Sequence, residues 1–307
     1  KYLSSVSPRP RLVLGCQYFT AAGQKCTLAN HLLRVQAAHK QEPGARHLEA
    51  YSLRNQTQVA DFRRRLSQKP DGLWLVKSCS AGRSEGIVLL SGRPEDSETL
   101  HKVMYTWAVA QKYIEKPYLG FGERKFHMRL YVLVTSWHSP AVFLFNEGFV
   151  FRSRHKYDAS SPSVKRDVFS AVSADVESLA LASLWEHLGE RTTDVWQRLT
   201  RVLVETLSTS LAESFGPTER LEQRSYACFD IFGVDVMLDD HLQPFILEVN
   251  TGPNLWLDDT STANQATIKG AFVHQVVLWA HEWLSRHGSN QASGWAHKML
   301  LNFTRLA

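Results

Sequence analysis

Apolar and polar positions alternate with a period of two along Glu123 to Val134. Lys125, His127 and Arg129 fall on one side, and Met128, Leu130, Val132 and Val134 on the other, the signature of a strand with one buried face. Cys228 to Leu238 is rich in Phe, Ile and Val, and Pro244 to Val249 is a short apolar run; Asp239-Asp240-His241 between them predicts a bend and a hairpin. Shorter strands are predicted over Arg11–Gly15, Leu73–Lys77, Ile87–Leu90 and Val109–Ile114, and a hairpin over Ala141–Arg152 around Asn146-Glu147-Gly148. Helical spacing appears in Lys25–Ala38, Gln58–Leu66 (an exposed helix), Ser97–Ala108 and Ala263–His287. Ala174–Ser214 reads as two helices, the second with an apolar stripe of Val195, Trp196, Leu199, Val202, Leu203, Leu207 and Leu211. Lys40–Arg46 and Ser153–Lys165 read as loops, Gly288–Gly294 as a linker, and Trp295–Ala307 as a short terminal helix.

Polar residues inside these elements are the candidates for chemistry. Glu248 and Asn250 are two apart on one strand and look the same way, and pairing about the Asp-Asp turn brings Asp235 to them across the ladder. Two carboxylates and an amide oxygen are hard donors of the kind Mg²⁺ takes when phosphates complete its shell. The competing reading is a strand-edge charge and an ordinary strand terminus. Ser78–Gly86 is a loop of small residues between two strands, where consecutive N–H groups can cradle phosphate oxygens; Lys77 and Arg83 add positive charge, although an ordinary hairpin has the same composition. Lys125, His127 and Arg129 would repel one another along a strand unless an anion lies over them.

Composition narrows the classes. The 307 residues allow a sizeable core and two or three subdomains, and 44% hydrophobic with 21% charged residues describes an ordinary globular chain. No apolar run reaches the roughly 18 residues of a membrane span, and the first residues lack signal-peptide order, so no membrane partner is expected. Cys16, Cys26, Cys79 and Cys228 lie far apart without a CxxC pair, which points to a reduced, cytoplasmic setting. A net charge of +5 suits an anionic partner but is too weak and scattered to argue for nucleic acid.

In order and spacing, WLVKSCSAGRSEGI, QKYIEKP with RKFHMRLYVLV, and FDIFGVDVML with ILEVNTGP resemble the tubulin–tyrosine ligase-like family of ATP-grasp enzymes. The resemblance runs from about Arg11 to His281. It implies an α+β ATP-grasp fold with ATP held in a cleft between two α+β subdomains and a small N-terminal α/β subdomain. The boundaries expected are 1–70 for the small subdomain, 71–116 for the central one with the phosphate loop, 117–287 for the C-terminal one with the Mg²⁺ site, and 288–307 for a linker and terminal helix. The family joins an amino acid to a protein carboxylate through an acyl-phosphate. By resemblance Lys25, Lys77, Ser80, Gly82, Arg83 and Gly86 serve the phosphates, and Gln111, Lys112, Tyr113 and Ile114 line the adenine. Asp235, Glu248 and Asn250 take the places of the Mg²⁺ ligands, while Lys125, Arg129 and Arg152 take the catalytic cationic positions. The partners implied are ATP, Mg²⁺, a free amino acid and a protein with an acidic tail, tubulin by family, with the chain a monomer in the cytoplasm or on the cytoskeleton or cilium.

Two departures bear on the acceptor. His127 stands where the family's Lys-Phe-Asp-x-Arg has Asp, and Lys165–Asp175 lacks the family's His-Leu-Thr-Asn; Ser170 and Ser173 are the candidate substitutes. A ligase for a non-tubulin peptide or small-molecule acceptor, or a silent nucleotide- or microtubule-binding module, therefore stand as alternatives.

Overall fold

The computed structural model describes residues 12–14, 28–29, 47–79, 86–137, 139–160, 175–215, 227–257, 261–286 and 303–306. Its strands are β1 (Leu12–Leu14), β2 (Ala50–Ser52), β3 (Trp74–Ser78), β4 (Val88–Leu90), β5 (Ala108–Lys112), β6 (Phe126–Trp137), β7 (Ser139–Ser153), β8 (Val176–Ala180), β9 (Ala227–Leu238), β10 (Pro244–Thr251) and β11 (Phe303–Arg305). The helices are α1 (Gln56–Gln68), α2 (Ser97–Val103), α3 (Leu181–Leu188), α4 (Thr192–Phe215) and α5 (Ala263–Arg286). Among the described residues no helix is long and apolar enough to cross a membrane.

The strands form two sheets. The smaller has four strands in the order β2-β5-β3-β4, all antiparallel. α1 covers it through Val59, Phe62 and Leu66, so the helix read as exposed has one buried face. Its N-cap is Asn55, whose side chain accepts from the Gln58 amide. The larger sheet has seven strands, with β1-β9-β6-β7-β11 as its spine, β10 on β9 and β8 on β7.

Period-two alternation in β6 and β9 gives the large sheet two different faces. Met128, Leu130, Val132, Val134, Phe232, Val234 and Val236 bury against α3 and α4, which contribute Leu184, Val195, Leu199, Val202 and Leu203. Tyr131, Leu133, Phe149 and Phe151 turn the other way, against Phe272, Val276, Trp279 and Trp283 of α5. With both faces covered, burial of these side chains removes water from each, at roughly 25 cal/mol per Å² of apolar area.

Three predicted elements differ. Ala141–Arg152 is not a hairpin in itself: it lies within β7, which pairs with β6 throughout and absorbs Asn146-Glu147 in an irregularity between Leu130 and Val132. The turn signal is real, but a long partner strand converts it into a bulge. Ala174 onward begins with β8 rather than a helix. The terminal segment contributes β11, paired with Phe143–Phe145, where a helix was expected. The helix expected over Lys25–Ala38 lies outside the described residues except for Leu28 and Ala29, which are helical and buried.

Candidate active site

Register decides which polar side chains meet. β9 and β10 pair with Glu248 opposite Asp235 and Asn250 opposite Gly233, while β6 sets Arg129 opposite Asp235 from the other side. All four belong to the same sheet face, at the end of β9 that α5 leaves uncovered. The Arg129 Nε and Nη2 donate to Asp235 Oδ1 and Oδ2 at 2.5 and 2.9 Å, a bidentate fork. Asn250 Nδ2 donates to Glu248 Oε1 at 3.1 Å and to Asp235 Oδ2 at 3.4 Å, so the amide bridges the two carboxylates. Gly233 makes the fork possible: a Cβ there would stand 2.9 Å from Pro253 and 3.2 Å from the Arg129 Cδ. The absent side chain is the groove in which the arginine crosses β9.

Burial would raise the Asp235 carboxyl, but the adjacent Arg129 guanidinium overrides it and holds the group below its ordinary range. His127 sits two residues from Arg129 on the same strand face, buried, its ring 5.5 Å from that of Phe151. Burial, with Arg129, Lys125 and Lys77 against the opposing pull of Asp235, pushes its imidazole down to about 4. The ring is therefore neutral at physiological pH and does not repel its neighbours. Because its folded pKa lies below the unfolded value of about 6.5, the unfolded chain binds the extra proton first. Stability thus falls as pH drops from about 6.5 towards 4, by up to about 3 kcal/mol. His127→Gln flattens the pH dependence of the urea midpoint across that window; a curve as steep as that of the unchanged protein would show that another group titrates.

A cleft of about 460 Å³, open mouth included, lies between the two sheets. Leu75, Lys77, Gln111, Lys112, Tyr113 and Ile114 of the small sheet line one wall, and Lys125, His127, Met237 and Leu247 line the other. Lys77 is buried and donates to Gln111 Oε1 at 2.7 Å, and Gln111 Nε2 donates to the Leu247 carbonyl at 3.3 Å, tying one wall to the other. Lys125 Nζ lies 3.9 Å from the centroid of the Tyr113 ring, at the edge of the cleft. Lys112 points its ammonium outward to Glu115 and the Leu73 carbonyl, so only its stem borders the space.

The expected residues do not all gather. Arg152 faces the opposite side of the sheet: β7 alternation gives Phe151 to the Arg129 side and turns Arg152 to Glu177, Phe121 and Arg124's neighbourhood. Its Nε donates to Glu177 Oε1 at 2.5 Å and its guanidinium stacks 4.5 Å from the Phe121 centroid. Gly86 holds φ +66° at the exit of the small-residue loop, where a side chain would be strained. Lys25, Ser80, Gly82, Arg83, Ser170 and Ser173 lie outside the described residues.

A model of the tubulin-tyrosine ligase family matches residues 16–288. The chain belongs to this family. Its mixed α+β architecture is the ATP-grasp type that membership in the tubulin-tyrosine ligase family implies. Human tubulin monoglutamylase TTLL4 is 28% identical over 233 residues, covering 66% of this chain and 18% of the relative. Mouse tubulin polyglutamylase TTLL5 is 26% identical over 258 residues, 76% of this chain and 19% of the relative. Mouse probable tubulin polyglutamylase TTLL2 is 27% identical over 225 residues, 69% and 39%. The chain therefore spans less than two-fifths of these relatives' own lengths.

For a tubulin-tyrosine ligase family member the donor set is chemically suited to Mg²⁺. Asp235, Glu248 and Asn250 converge within hydrogen-bond distance and carry only oxygen donors plus one amide that can turn. Among the described residues no group of three or more His, Cys, Asp or Glu gathers as metal ligands.

One feature of this family member departs from the sequence reading of its cysteines. Cys79 and Cys228 each take part in a disulfide bond, and no described cysteine is free. A disulfide needs Cα atoms about 4.4–6.8 Å apart, a condition that separation along the chain does not report. The reduced cysteines read from spacing therefore differ from the structure, in which Cys79 and Cys228 both form disulfides.

Proposed function

We propose that this chain carries an ATP- and Mg²⁺-dependent ligase centre that joins an amino acid to a protein or peptide carboxylate. The observation that supports it most is the single sheet face on which Arg129, Asp235, Glu248 and Asn250 meet, beside a cleft that also contains Lys77 and Lys125. The cleft walls would belong to the expected central subdomain, 71–116, and the expected C-terminal one, 117–287, with β2 (Ala50–Ser52) joined to the central sheet through β5. Gln111, Tyr113 and Ile114 would border the base, and Lys77 and Lys125 would clamp the phosphates. Asp235, Glu248 and Asn250 would hold Mg²⁺. When bound, the metal offsets charge on the transferring phosphoryl oxygens.

The chemistry then follows from the residues. A carboxylate is a poor acyl donor, so its oxygen takes the γ-phosphoryl group of ATP and ADP leaves. The amine nitrogen attacks the acyl carbon, the phosphate departs, and the ammonium proton goes to solvent. Arg129 Nη1, the guanidinium nitrogen outside the Asp235 fork, is the donor available for the oxyanion of that attack. Asp235 keeps the guanidinium in place. Neutral His127 offers a hydrogen bond without adding charge, and no covalent enzyme nucleophile is needed. Arg152 takes no part, because it faces the other side of the sheet.

The names of the relatives support tubulin as acceptor and glutamate as the first amino acid to test. An acceptor other than cytosolic tubulin is the second reading, favoured by the disulfide-bonded Cys79 and Cys228. One experiment addresses both. The protein is incubated with ATP, Mg²⁺ and each amino acid separately, against tubulin and against a library of glutamate-rich peptides, with mass spectrometry and ADP release as readouts. A one-residue mass gain on tubulin supports the first reading, and a gain on peptides alone the second. No gain on any acceptor and no melting shift with ATP and Mg²⁺ would overturn the ligase centre.

A further inference from the structure

At the end of the small sheet nearest the small-residue loop, the chain turns from α2 into β5 through Met104-Tyr105-Thr106-Trp107. The turn is closely held. Met104 N donates to the Leu100 carbonyl, Thr106 Oγ1 donates to the Val103 carbonyl at 2.6 Å, and Ala108 N donates to the Thr106 carbonyl. Met104 is buried, but Tyr105 and Trp107 are 57% and 58% exposed. Tyr105 holds φ +62°, a conformation costly for a bulky side chain. A glycine would relieve that cost and an alanine at 107 would expose less apolar surface to water, so the exposed faces of these rings do not serve the core.

Each ring carries an arginine. The Arg54 guanidinium lies 4.6 Å from the Trp107 centroid, and that of Arg63 lies 5.6 Å from the Tyr105 centroid. Both come from the α1 side, Arg54 just before the Asn55 cap and Arg63 two and a half turns on. Their neighbours Arg64 and Arg65 are neutralised by Asp61 and Glu49. Among the described residues Arg54 and Arg63 have no carboxylate in salt-bridge distance. A guanidinium over a ring face on an exposed side chain leaves N–H groups free to meet a carboxylate. The patch thus offers two cationic groups held over two exposed aromatic rings.

Its position relates it to the cleft. Cys79 N donates to the Trp107 carbonyl at 3.0 Å, and Ser78 pairs with Ala108, so Trp107 stands where β3 passes into the small-residue loop. Gln111, in the cleft, is four residues along β5 from Trp107, about 13 Å at strand rise. An extended peptide covers that distance in about four residues.

We propose that Arg54, Arg63, Tyr105 and Trp107 form a docking surface for an acidic, extended polypeptide, the acceptor chain whose carboxylate is delivered to the cleft; this rests on the ligase reading above. The carboxylates of the peptide engage the two guanidinium groups while its backbone and side-chain methylenes lie on the rings. Binding is sensitive to salt, because both arginines are solvent-exposed.

The test is fluorescence anisotropy of a labelled ten-residue poly-glutamate peptide at low ionic strength, on the unchanged protein, Arg54→Ala/Arg63→Ala, Trp107→Ala and Arg63→Lys. Melting curves with and without ATP and Mg²⁺ are recorded on each. The double variant and Trp107→Ala are expected to weaken peptide binding at least tenfold, and Arg63→Lys less, with the ATP-induced melting shift unchanged. Peptide affinity within twofold of the unchanged protein in both, beside an intact ATP shift, overturns the docking surface and leaves the ligase reading standing. Patch-dependent peptide binding without an ATP shift or ligation overturns the ligase reading and leaves the surface. A labelled oligothymidine that binds more tightly than the peptide, and loses affinity in the same variants, overturns the acidic polypeptide as the partner.

Discussion

Arg129→Met loses about 3–5 kcal/mol of unfolding free energy, read as a lower urea midpoint at pH 7. The cost lies in what is left behind. Asp235 is buried, with 7% of its side chain exposed, and Arg129 supplies two of the donors to its carboxylate. Removing the guanidinium strands a charge in a low-dielectric site. The carboxyl must then ionise without a partner or take up a proton, and either is unfavourable at neutral pH. Arg129→Met/Asp235→Leu removes both charges and recovers most of the loss, because a buried pair contributes little net stability once its desolvation is counted. The pH dependence follows from the depressed Asp235 pKa. A carboxyl lower in the folded than in the unfolded state stabilises above the unfolded value of about 3.9, and that contribution is lost as pH falls through the folded pKa. A loss under 1 kcal/mol in the single variant would mean that the pair is not buried as described.

Glu248→Gln lowers ligation by about 10²–10³-fold, with the urea midpoint within about 1 kcal/mol of the unchanged protein. Glu248 is half-buried, and its Oε1 accepts from Asn250 Nδ2, a bond that a glutamine oxygen also accepts. The fold therefore tolerates the change while one of the two anionic donors disappears. Titrating Mg²⁺ at fixed ATP separates causes: the variant requires more metal for half-maximal ADP release if Glu248 is a ligand. Activity within threefold of the unchanged protein, at the same Mg²⁺ requirement, would remove Glu248 from the centre.

Much of the candidate site was legible because strands report their faces. The period of two in Glu123–Val134 placed Lys125, His127 and Arg129 together, and the Asp-Asp bend predicted the last hairpin; the register irregularity between Ile246 and Glu248, which the sequence did not show, sets Glu248 opposite Asp235. Asp235 answers the charge of Arg129, while burial makes His127 neutral rather than a third cation. The same rule, applied one strand further, would have separated Arg152 from Arg129: in β7 it alternates with Phe151, whose ring meets that of His127 at a tilted angle. Resemblance carried Arg152 by position along the chain, and a one-residue offset on a strand reverses the side chain. Gly233 left no usable signal, since its role exists only when Arg129 crosses above it.

By itself the sequence determined the elements with one buried face, the chemistry available in each, and the family. Local periodicity and turn residues act over a few positions, and they are written directly in the chain. The tertiary structure alone decided the bidentate Arg129–Asp235 fork, the neutral state of His127, the turning of Arg152 to Glu177, and the disulfide bonding of Cys79 and Cys228. Each depends on distances between residues far apart in sequence, and on burial, which removes water only after two sheets and their helices have closed over the site.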